Sequence, residues 1–228
     1  MDNRFQRLEL LYGKDNVSKL NKSTILVLGL GGVGGYVVEA LARCGVGKLI
    51  LIDSDKVDIT NINRQIIALN DTVGKYKTDC FKERIKLINE ECEVVLINEF
   101  IDKSNYLTIF SEKIDFVVDA IDSVETKELV IKYCLENDIN IISSMGTGNR
   151  IDPSKLQIID IKKTSYDPIA RKVRKYLKDN NINKKLNVCF SSEIPNKKID
   201  KIIPSNSFVP SSAGLLIASY VVNKIINK

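Results

Sequence analysis

The stretch Thr24-Ile-Leu-Val-Leu28-Gly29-Leu30-Gly31-Gly32-Val33-Gly34 decides the fold. The run 24–28, in which four of five residues are apolar, predicts a buried strand, and the glycines after it open an amphipathic segment at 33–44. Placed between a strand and a helix, Gly29 permits a tight turn, Gly31 lets the backbone approach a phosphate, and Gly34 lets helix and strand pack closely. The helix N-terminus then faces the anion. We therefore predict a phosphate-bearing ligand at Gly29, Gly31, Gly32 and Gly34; the alternative is a glycine turn that serves packing alone.

Residues 24–145 alternate short apolar runs with longer amphipathic ones. The apolar runs are 24–28, 48–52, 94–97, 116–118 and 139–142, and the amphipathic ones are 33–44, 78–89, 104–111 and 125–137. Apolar runs without interior charge are typical of parallel strands that are covered on both faces. The pattern predicts an α/β fold with a doubly wound, Rossmann-like, mostly parallel sheet.

The alternation loosens beyond Pro153. There we predict a strand at 156–161, a basic helix at 171–178, a second strand at 187–191, a polar loop at 195–207 and an apolar helix at 211–226. We interpret residues 1–150 as the nucleotide-binding core and residues 151–228 as a C-terminal extension of the same domain. The polar loop is expected to be mobile.

The composition excludes several kinds of chemistry. The 228 residues contain no histidine, so serine–histidine triads and histidine-ligated zinc are ruled out. Five scattered cysteines form no Cys-x-x-Cys pair, which argues against a disulfide framework and a four-cysteine zinc site. The apolar run 213–222 is about half of what a membrane span needs, and no secretory signal opens the chain. We expect a cytoplasmic protein without a membrane partner.

The net charge of +5 is unevenly distributed. Residues 1–150 hold 19 basic and 23 acidic side chains, whereas residues 151–228 hold 15 and 6, giving −4 and +9. The densest basic segment contains Arg171, Lys172, Arg174, Lys175 and Lys178. Either a solvated surface helix or a surface that binds a polyanion explains it, and charge alone leaves both open.

Polar residues after the second strand distinguish between nucleotides. Asp53, 19 residues past Gly34, is placed to accept from ribose hydroxyls, which fits NAD as well as ATP. Arg64 and Lys77 offer two further cations, which hydride transfer does not require. A triphosphate that reacts at its α-phosphorus requires such cations, because negative charge builds up as pyrophosphate departs. Asp122 could hold Mg²⁺ at the same edge, or it could cap the next helix through the box Asp122-Ser-Val-Glu125.

Over residues 1 to about 145, this set resembles the adenylating domain of the ubiquitin-activating-like enzymes, which include the activators of sulfur-carrier proteins. The resemblance rests on the glycine turn together with Asp53, the run 61–65, Lys77 and Asp122. It implies a homodimer in which Arg7 of the partner's N-terminal helix reaches ATP. It also implies that Asp53 binds the ribose, that Asn61, Arg64 and Lys77 bind the phosphates, and that Asp122 holds the metal or polarises the acyl phosphate. Asp55 is a further predicted cofactor-binding residue.

Four further segments resemble the tRNA threonylcarbamoyladenosine dehydratase branch of that family: 144–153, 163–174, 190–193 and 207–214. In that branch ATP activates the threonyl carboxylate of a modified adenosine beside the anticodon, and the side chain cyclises with net loss of water. The resemblance gives the basic helix a partner, tRNA. Because internal cyclisation needs no thiol acceptor, Cys134 and Cys189 are interpreted as packing thiols.

Three functions stay open at this point. The first is the dehydratase, with ATP and Mg²⁺ as cofactors and a cysteine desulfurase or sulfur acceptor as a further partner to be considered. The second is an adenylyltransferase for a ubiquitin-like sulfur carrier, although the four-cysteine zinc site usual in those enzymes is missing. The third is a nicotinamide oxidoreductase or a nucleotide sensor, which rests on the glycine motif alone.

Overall fold

The computed structural model describes residues 4–195 and 203–227. Its strands are β1 Thr24–Leu28, β2 Lys48–Ile52, β3 Glu93–Ile97, β4 Phe116–Asp119, β5 Ile141–Ser144, β6 Leu156–Asp160 and β7 Asn187–Ser191. Its α-helices are α1 Gln6–Tyr12, α2 Lys14–Asn21, α3 Gly34–Arg43, α4 Lys77–Ile88, α5 Val124–Glu136, α6 Pro168–Asp179 and α7 Phe208–Ile226. Short 3₁₀ helices cover Ile59–Asn61, Thr108–Phe110, Pro153–Lys155 and Ile161–Lys163.

The strands form one seven-stranded sheet in the order β3-β2-β1-β4-β5-β7-β6. All neighbours pair in parallel except β6 and β7, which are antiparallel. The chain runs outward from β1 to β3 and then returns to place β4 on the other side of β1. This reversal creates the crevice at which open α/β sheets bind their ligands. The prediction of a doubly wound, mostly parallel sheet is confirmed.

Both faces of the sheet are covered by helices. Ile25 and Val27 of β1 pack into a core with α2, α3, α4 and α7, and Leu26 and Leu28 pack into a second core with α5 and α6. The interior positions of β1, β2 and β4 are therefore apolar on both faces, which explains why these strand segments lack interior charge. Strands β6 and β7 extend the same sheet. The domain boundary at residue 150 stays a prediction.

Helix α7 lies against α3 at very short range. A Cβ atom on Gly214 would lie 2.4 Å from the carbonyl oxygen of Val33, so only glycine permits this approach. The helix has 19 residues and a mean hydropathy of 1.3, which by length and composition alone is enough to cross a membrane. The apolar run 213–222 is part of this longer helix, and the absence of a membrane partner stays a prediction. The apolar composition of the helix is accounted for by packing, because 56% of that window is buried.

The predicted amphipathic helix at 104–111 is also wrong, since only Thr108–Phe110 is helical and in the 3₁₀ form. Two side chains bond to the backbone before that segment. The Oδ1 atom of Asp102 accepts from Ser104 N at 2.7 Å, and Asn105 Oδ1 accepts from Asp102 N at 2.8 Å. Such local bonds compete with the hydrogen bonds of an α-helix.

Candidate active site

A cavity of about 550 Å³ opens at the carboxyl ends of β1, β2 and β4, where the strand order reverses. Loops that follow these strands form most of its wall. The predicted site residues that line it are Gly29, Gly31, Gly32, Asp53, Asp55, Asn61, Arg64, Lys77 and Asp122. Residues separated by almost a hundred positions in the sequence therefore share one cavity, because parallel strands end at the same edge.

The glycines of the first turn have different roles. Gly29 has φ +82°, and a Cβ atom there would lie 2.8 Å from the Ala120 carbonyl oxygen. The nearest atom to a Cβ on Gly31 is Gln65 Nε2 at 3.8 Å, so the Gly31 backbone is open towards the cavity. Gly34 lies outside the cavity lining, and a Cβ there would lie 1.8 Å from the Gly29 carbonyl oxygen. The predicted helix–strand packing role of Gly34 is seen directly, and its assignment to the nucleotide-binding residues stays a prediction.

Asp53 joins the glycine turn to the end of β2. Its Oδ2 accepts from Leu30 N at 2.7 Å, and its Oδ1 accepts from Asp55 N at 2.8 Å. Each carboxylate oxygen has a second lone pair, so these bonds leave acceptor capacity for a ribose hydroxyl. The carboxylate thereby fixes the shape of the turn while it remains on the cavity wall.

Lys77 places a buried ammonium group on the cavity wall. The residue is 5% exposed, and its Nζ lies 2.7 Å from Asp55 Oδ2 and 3.6 Å from Asp53 Oδ1. As the first residue of α4 it sits at the end where the helix dipole disfavours a cation. The two carboxylates compensate for this. Because the Asp55 side chain is 67% exposed, a ligand group can replace Asp55 as the partner of the ammonium group.

Arg64 and Asn61 lie in the loop between β2 and α4. Arg64 Nη1 donates to Thr60 O at 2.9 Å and to Asn63 Oδ1 at 2.8 Å. The other guanidinium donors have no partner in the part of the chain that is described. Asn61 Oδ1 accepts from Asp58 N at 3.1 Å, which leaves its amide group able to donate. Together these two side chains can supply several donors to a phosphate.

Gln65 was not predicted as a site residue, although it ends the polar run 61–65. It is 7% exposed, lines the cavity and has an Oε1 atom without a hydrogen-bond partner. A buried acceptor left unpaired is costly, and a ligand donor in the cavity would satisfy it. The signal in the sequence was its place directly after Arg64.

Asp122 projects into the cavity from the loop after β4. It is exposed, and it forms no hydrogen bond or ion pair with the residues that the structure describes. The capping-box hypothesis is wrong, because the N-cap of α5 is Ser123. The carboxylate of Asp122 is therefore free to bind a cation or a substrate group.

A buried ion pair, which the sequence did not indicate, supports the loop that carries Asp122. Asp119 and Lys127 are both fully buried, and Lys127 Nζ lies 2.8 Å from each Asp119 oxygen. The same ammonium donates to Ser143 Oγ at 3.2 Å and to Ser144 O at 3.1 Å. The pair thus ties the ends of β4 and β5 to the first turns of α5.

Further cavity residues come from the loops after β3 and β5, from the segment before α7 and from the first turn of α7; they are Glu99, Phe100, Ile101, Thr147, Ser205 and Pro210. The segment 203–206 bridges two walls. Asn63 Nδ2 donates to Ser205 O at 3.0 Å, and Asn149 N donates to Pro204 O at 2.9 Å. The predicted mobility of loop 195–207 falls mainly on residues 196–202, which lie outside the described residues.

The predicted basic helix is α6, and it lies outside the cavity. Four of its predicted nucleic-acid-binding residues are exposed: Arg171, Lys172, Lys175 and Lys178. Arg174 differs, because its guanidinium donates to Thr164 Oγ1 and, at 3.2 Å, to Thr164 O. The structure thus gives Arg174 a structural role in holding the segment before the helix.

Arg7 lies on α1, a helix without buried residues, and it does not line the cavity of its own chain. It is exposed, as are Leu10 and Leu11, with exposures of 82% and 72%. The resemblance places Arg7 in the cavity of a partner subunit. That arrangement requires a second copy of the chain, so the position of Arg7 in one chain agrees with it but does not test it.

The cysteines named as packing thiols are buried. Burial raises the pKa of Cys189 to about 12 and raises the pKa of Cys134 still further above the usual range. Neither lines the cavity. Both thiols therefore remain protonated and away from the site, as expected of groups that pack in the core.

Within residues 4–195 and 203–227, no cluster of three or more cysteine or carboxylate side chains is arranged to hold a metal ion. This finding does not disfavour Mg²⁺. That ion is commonly bound by one or two carboxylates together with substrate phosphates and water. The free carboxylate of Asp122 fits such a role.

The ThiF family matches residues 4–228. The chain is 44% identical to the tRNA threonylcarbamoyladenosine dehydratase of Bacillus subtilis, in an alignment that covers 99% of this chain and 96% of the relative. It is also similar to crystal structures of the E. coli enzyme TcdA. The complex with AMP superposes with a TM-score of 0.93 at 36% identity, and the complex with ATP with 0.92 at 37%. Each comparison covers 98% of this chain and 94% of the other.

The similarity extends over the glycine turn, the cavity and the C-terminal segments alike. The resemblance to the ubiquitin-activating-like enzymes, and to their dehydratase branch, is thereby confirmed. This chain belongs to the ThiF family.

Proposed function

We propose that this chain is an ATP-dependent enzyme that dehydrates threonylcarbamoyladenosine in tRNA through adenylation of the threonyl carboxylate. One observation carries the proposal. In a chain similar over its whole length to such a dehydratase, the open Gly31 backbone, two cationic side chains and the free carboxylate of Asp122 line one cavity. This set suits a triphosphate that reacts at its α-phosphorus.

ATP occupies the cavity with its phosphates at the glycine turn. The backbone at Gly31 and the side chains of Arg64 and Lys77 supply donors and positive charge to the phosphates. Asp53 accepts from the ribose. Phe100, which is 63% exposed and lies on the same wall, offers an aromatic face to adenine.

The first chemical step makes a mixed anhydride. A threonyl carboxylate oxygen attacks the α-phosphorus, the bond from that phosphorus to the bridging oxygen breaks, and pyrophosphate leaves with the bonding electrons. Arg64 and Lys77 offset the negative charge that gathers on the departing pyrophosphate. Because Lys77 is held between two carboxylates, it is already oriented before ATP binds.

The second step closes a ring. A nucleophilic atom of the same modified side chain attacks the activated carbonyl carbon, AMP leaves, and one proton is released. An internal nucleophile has a high effective concentration, so the protein needs to supply only position and charge stabilisation. This suits a cavity without histidine and with no cysteine among its lining residues.

Asp122 is the residue of this chain that would hold Mg²⁺. The ion would supply positive charge to the phosphates when it is bound. Asp119 and Lys127 keep the Asp122 loop in place from below, through the bonds that join β4, β5 and α5.

The tRNA lies against α6 in this proposal. The exposed side chains of Arg171, Lys172, Lys175 and Lys178 form a cationic surface on a C-terminal region with a net charge of +9. Contacts between such side chains and phosphates dominate the affinity of nucleic-acid complexes and make it dependent on salt.

We also propose that the enzyme is a homodimer in which Arg7 of one subunit reaches the ATP of its partner. The exposed Leu10 and Leu11 beside it on α1 supply apolar surface for such an interface. Location in the cytoplasm and a sulfur-acceptor partner stay predictions.

The test is to incubate the protein with ATP, Mg²⁺ and tRNA that carries the linear modification, and then to digest the tRNA to nucleosides. Mass spectrometry should show the loss of one water from the modified adenosine, dependent on ATP. If protein with demonstrated ATP binding leaves the nucleoside unchanged, the proposed function is wrong. A ubiquitin-like carrier with a Gly-Gly terminus serves as the competing substrate.

A further inference from the structure

Tyr166 adopts a backbone conformation that aromatic residues rarely take. Its φ is +55°, and the other non-glycine residues of the described chain with positive φ are Asp138, Asn149 and Asn181. Asn and Asp tolerate the left-handed region because their short side chains bond locally, whereas a bulky side chain is strained there. Tyr166 is nevertheless 64% exposed, so burial of its ring does not repay the strain.

Contacts on both sides impose this conformation. Before the turn, Thr164 is held by Arg174 and by its own bond from Oγ1 to Ile161 O at 2.7 Å. After the turn, Asp167 is 3% exposed; its Oδ1 accepts from Ala170 N at 2.9 Å and its Oδ2 from Gly146 N at 3.1 Å. Strain that persists between fixed residues is a feature of functional sites, and here its effect is to present an aromatic ring to solvent.

The ring is presented between two surfaces that the proposed reaction uses. Asp167, the next residue, is the N-cap of α6, which carries the exposed cationic side chains. The same Asp167 bonds to Gly146, whose neighbour Thr147 lines the ATP cavity. Tyr166 therefore stands where a nucleic acid lying along α6 would reach the cavity.

We propose that Tyr166 stacks on an unpaired base of the tRNA next to the modified adenosine and so positions that nucleotide at the cavity. This inference rests on the proposed function. Proteins read single-stranded loops by stacking their splayed bases on exposed aromatic side chains, while cationic groups hold the phosphates. The arrangement of Tyr166 beside α6 contains both elements.

A tryptophan reporter tests the contact directly, because the chain contains no tryptophan. In the Tyr166→Trp variant, modified tRNA is expected to quench the fluorescence, since a stacked base quenches indole. Leu87→Trp is the matched control, at a position on α4 that is 87% exposed and lies on the other face of the sheet. The proposal is overturned if tRNA binds, as shown by gel shift, without a larger quench at position 166 than at position 87.

Two further variants separate stacking from a structural role. Tyr166→Gly removes the ring and also removes the strain of a side chain at positive φ. The melting temperature of this variant should therefore equal or exceed that of the wild type. Its KM for tRNA should rise about tenfold, as expected for one lost base–aromatic stack, with kcat nearly unchanged. Tyr166→Phe keeps the ring face and should restore KM to within about twofold of the wild type. An unchanged KM in Tyr166→Gly would contradict the proposal.

The outcomes also separate this inference from its premise. If wild-type protein fails to dehydrate the modified adenosine at all, the proposed function is wrong and the stacking proposal fails with it. If dehydration proceeds and Tyr166→Gly is unaffected, only the stacking proposal fails. If Tyr166→Gly changes the oligomeric state in sizing experiments, Tyr166 belongs to an interface between subunits, and stacking on tRNA is rejected.

Discussion

The nucleotide wall of the cavity, formed by the glycine turn with Asp53, Arg64 and Lys77, and the outer surface of α6 both carry cationic side chains. The two sets of side chains differ in burial and in their partners. Lys77 on the nucleotide wall is 5% exposed and bonded to carboxylates, whereas Arg171 and Lys175 on α6 are exposed. A buried charge depends on its partners, and an exposed one interacts mainly with solvent and ions. Substitutions at the cavity should therefore alter folding or turnover, and those of the exposed cationic residues of α6 should alter only affinity for tRNA.

The largest effect is expected beneath the cavity. Lys127→Met leaves the buried carboxylate of Asp119 without its counter-ion, and breaking such a pair costs about 3–5 kcal/mol. Urea denaturation of the variant measures the loss. The double variant Lys127→Met with Asp119→Asn removes both charges, and it should recover most of the stability. If the single variant is as stable as the wild type, the pair does not hold the site together.

The next effect is on turnover alone. Asp122→Asn keeps the shape of the side chain but removes the charge that faces the cavity, so turnover should fall by about 100- to 1000-fold. Its melting temperature should match the wild type, since Asp122 forms no hydrogen bond or ion pair with the described residues. Pyrophosphate release and circular dichroism provide the two measurements. A variant with normal turnover would remove Asp122 from the proposed mechanism.

On α6 the expected effect is smaller and depends on salt. Arg171→Glu with Lys175→Glu should weaken tRNA binding by roughly tenfold and reduce the salt slope by about one for each lost phosphate contact. Affinity for ATP should not change. Lys82→Glu with Lys86→Glu on α4 makes the same charge change on the opposite face of the sheet. Equal weakening by both pairs would show that net charge, rather than α6, binds tRNA.

The smallest effect concerns the buried thiols. Cys189→Ala should retain turnover within about twofold, because burial keeps that thiol protonated and away from the cavity. For the same reason an alkylating reagent should modify Cys189 only after denaturant is added. Loss of turnover in a stable Cys189→Ala variant would point to a covalent acyl–enzyme, which the proposed mechanism does without.

Much of the nucleotide wall could be predicted from spacing. The loops that follow β1, β2 and β4 meet at one sheet edge, so Gly29, Asp53 and Asp122 converge whatever their distance along the chain. The packing of helix on strand at Gly34 could also be predicted, since a glycine at that place in the motif permits the close approach that the structure shows. The failure at 104–111 came from side-chain bonds that periodicity does not reveal.

Other features depend on tertiary contacts that one sequence does not display. Asp119 and Lys127 are ordinary charged residues in the sequence, and only the sheet and α5 together bury them against each other. In the sequence Arg174 cannot be distinguished from the basic residues around it. Only the folded chain brings Thr164, in the segment before α6, within hydrogen-bond distance of its guanidinium group. The strain at Tyr166 is likewise invisible in composition, since it arises from residues fixed on both sides.

The adenylation step is the central claim, and exchange of labelled pyrophosphate into ATP tests it most directly. The exchange runs the first step backward, so it reports the acyl adenylate before ring closure. Label should enter ATP when tRNA with the linear modification is present, and it should not do so with unmodified tRNA or with a Gly-Gly carrier peptide. Water loss from the modified adenosine without any tRNA-dependent exchange, or exchange driven by the carrier alone, would contradict the account.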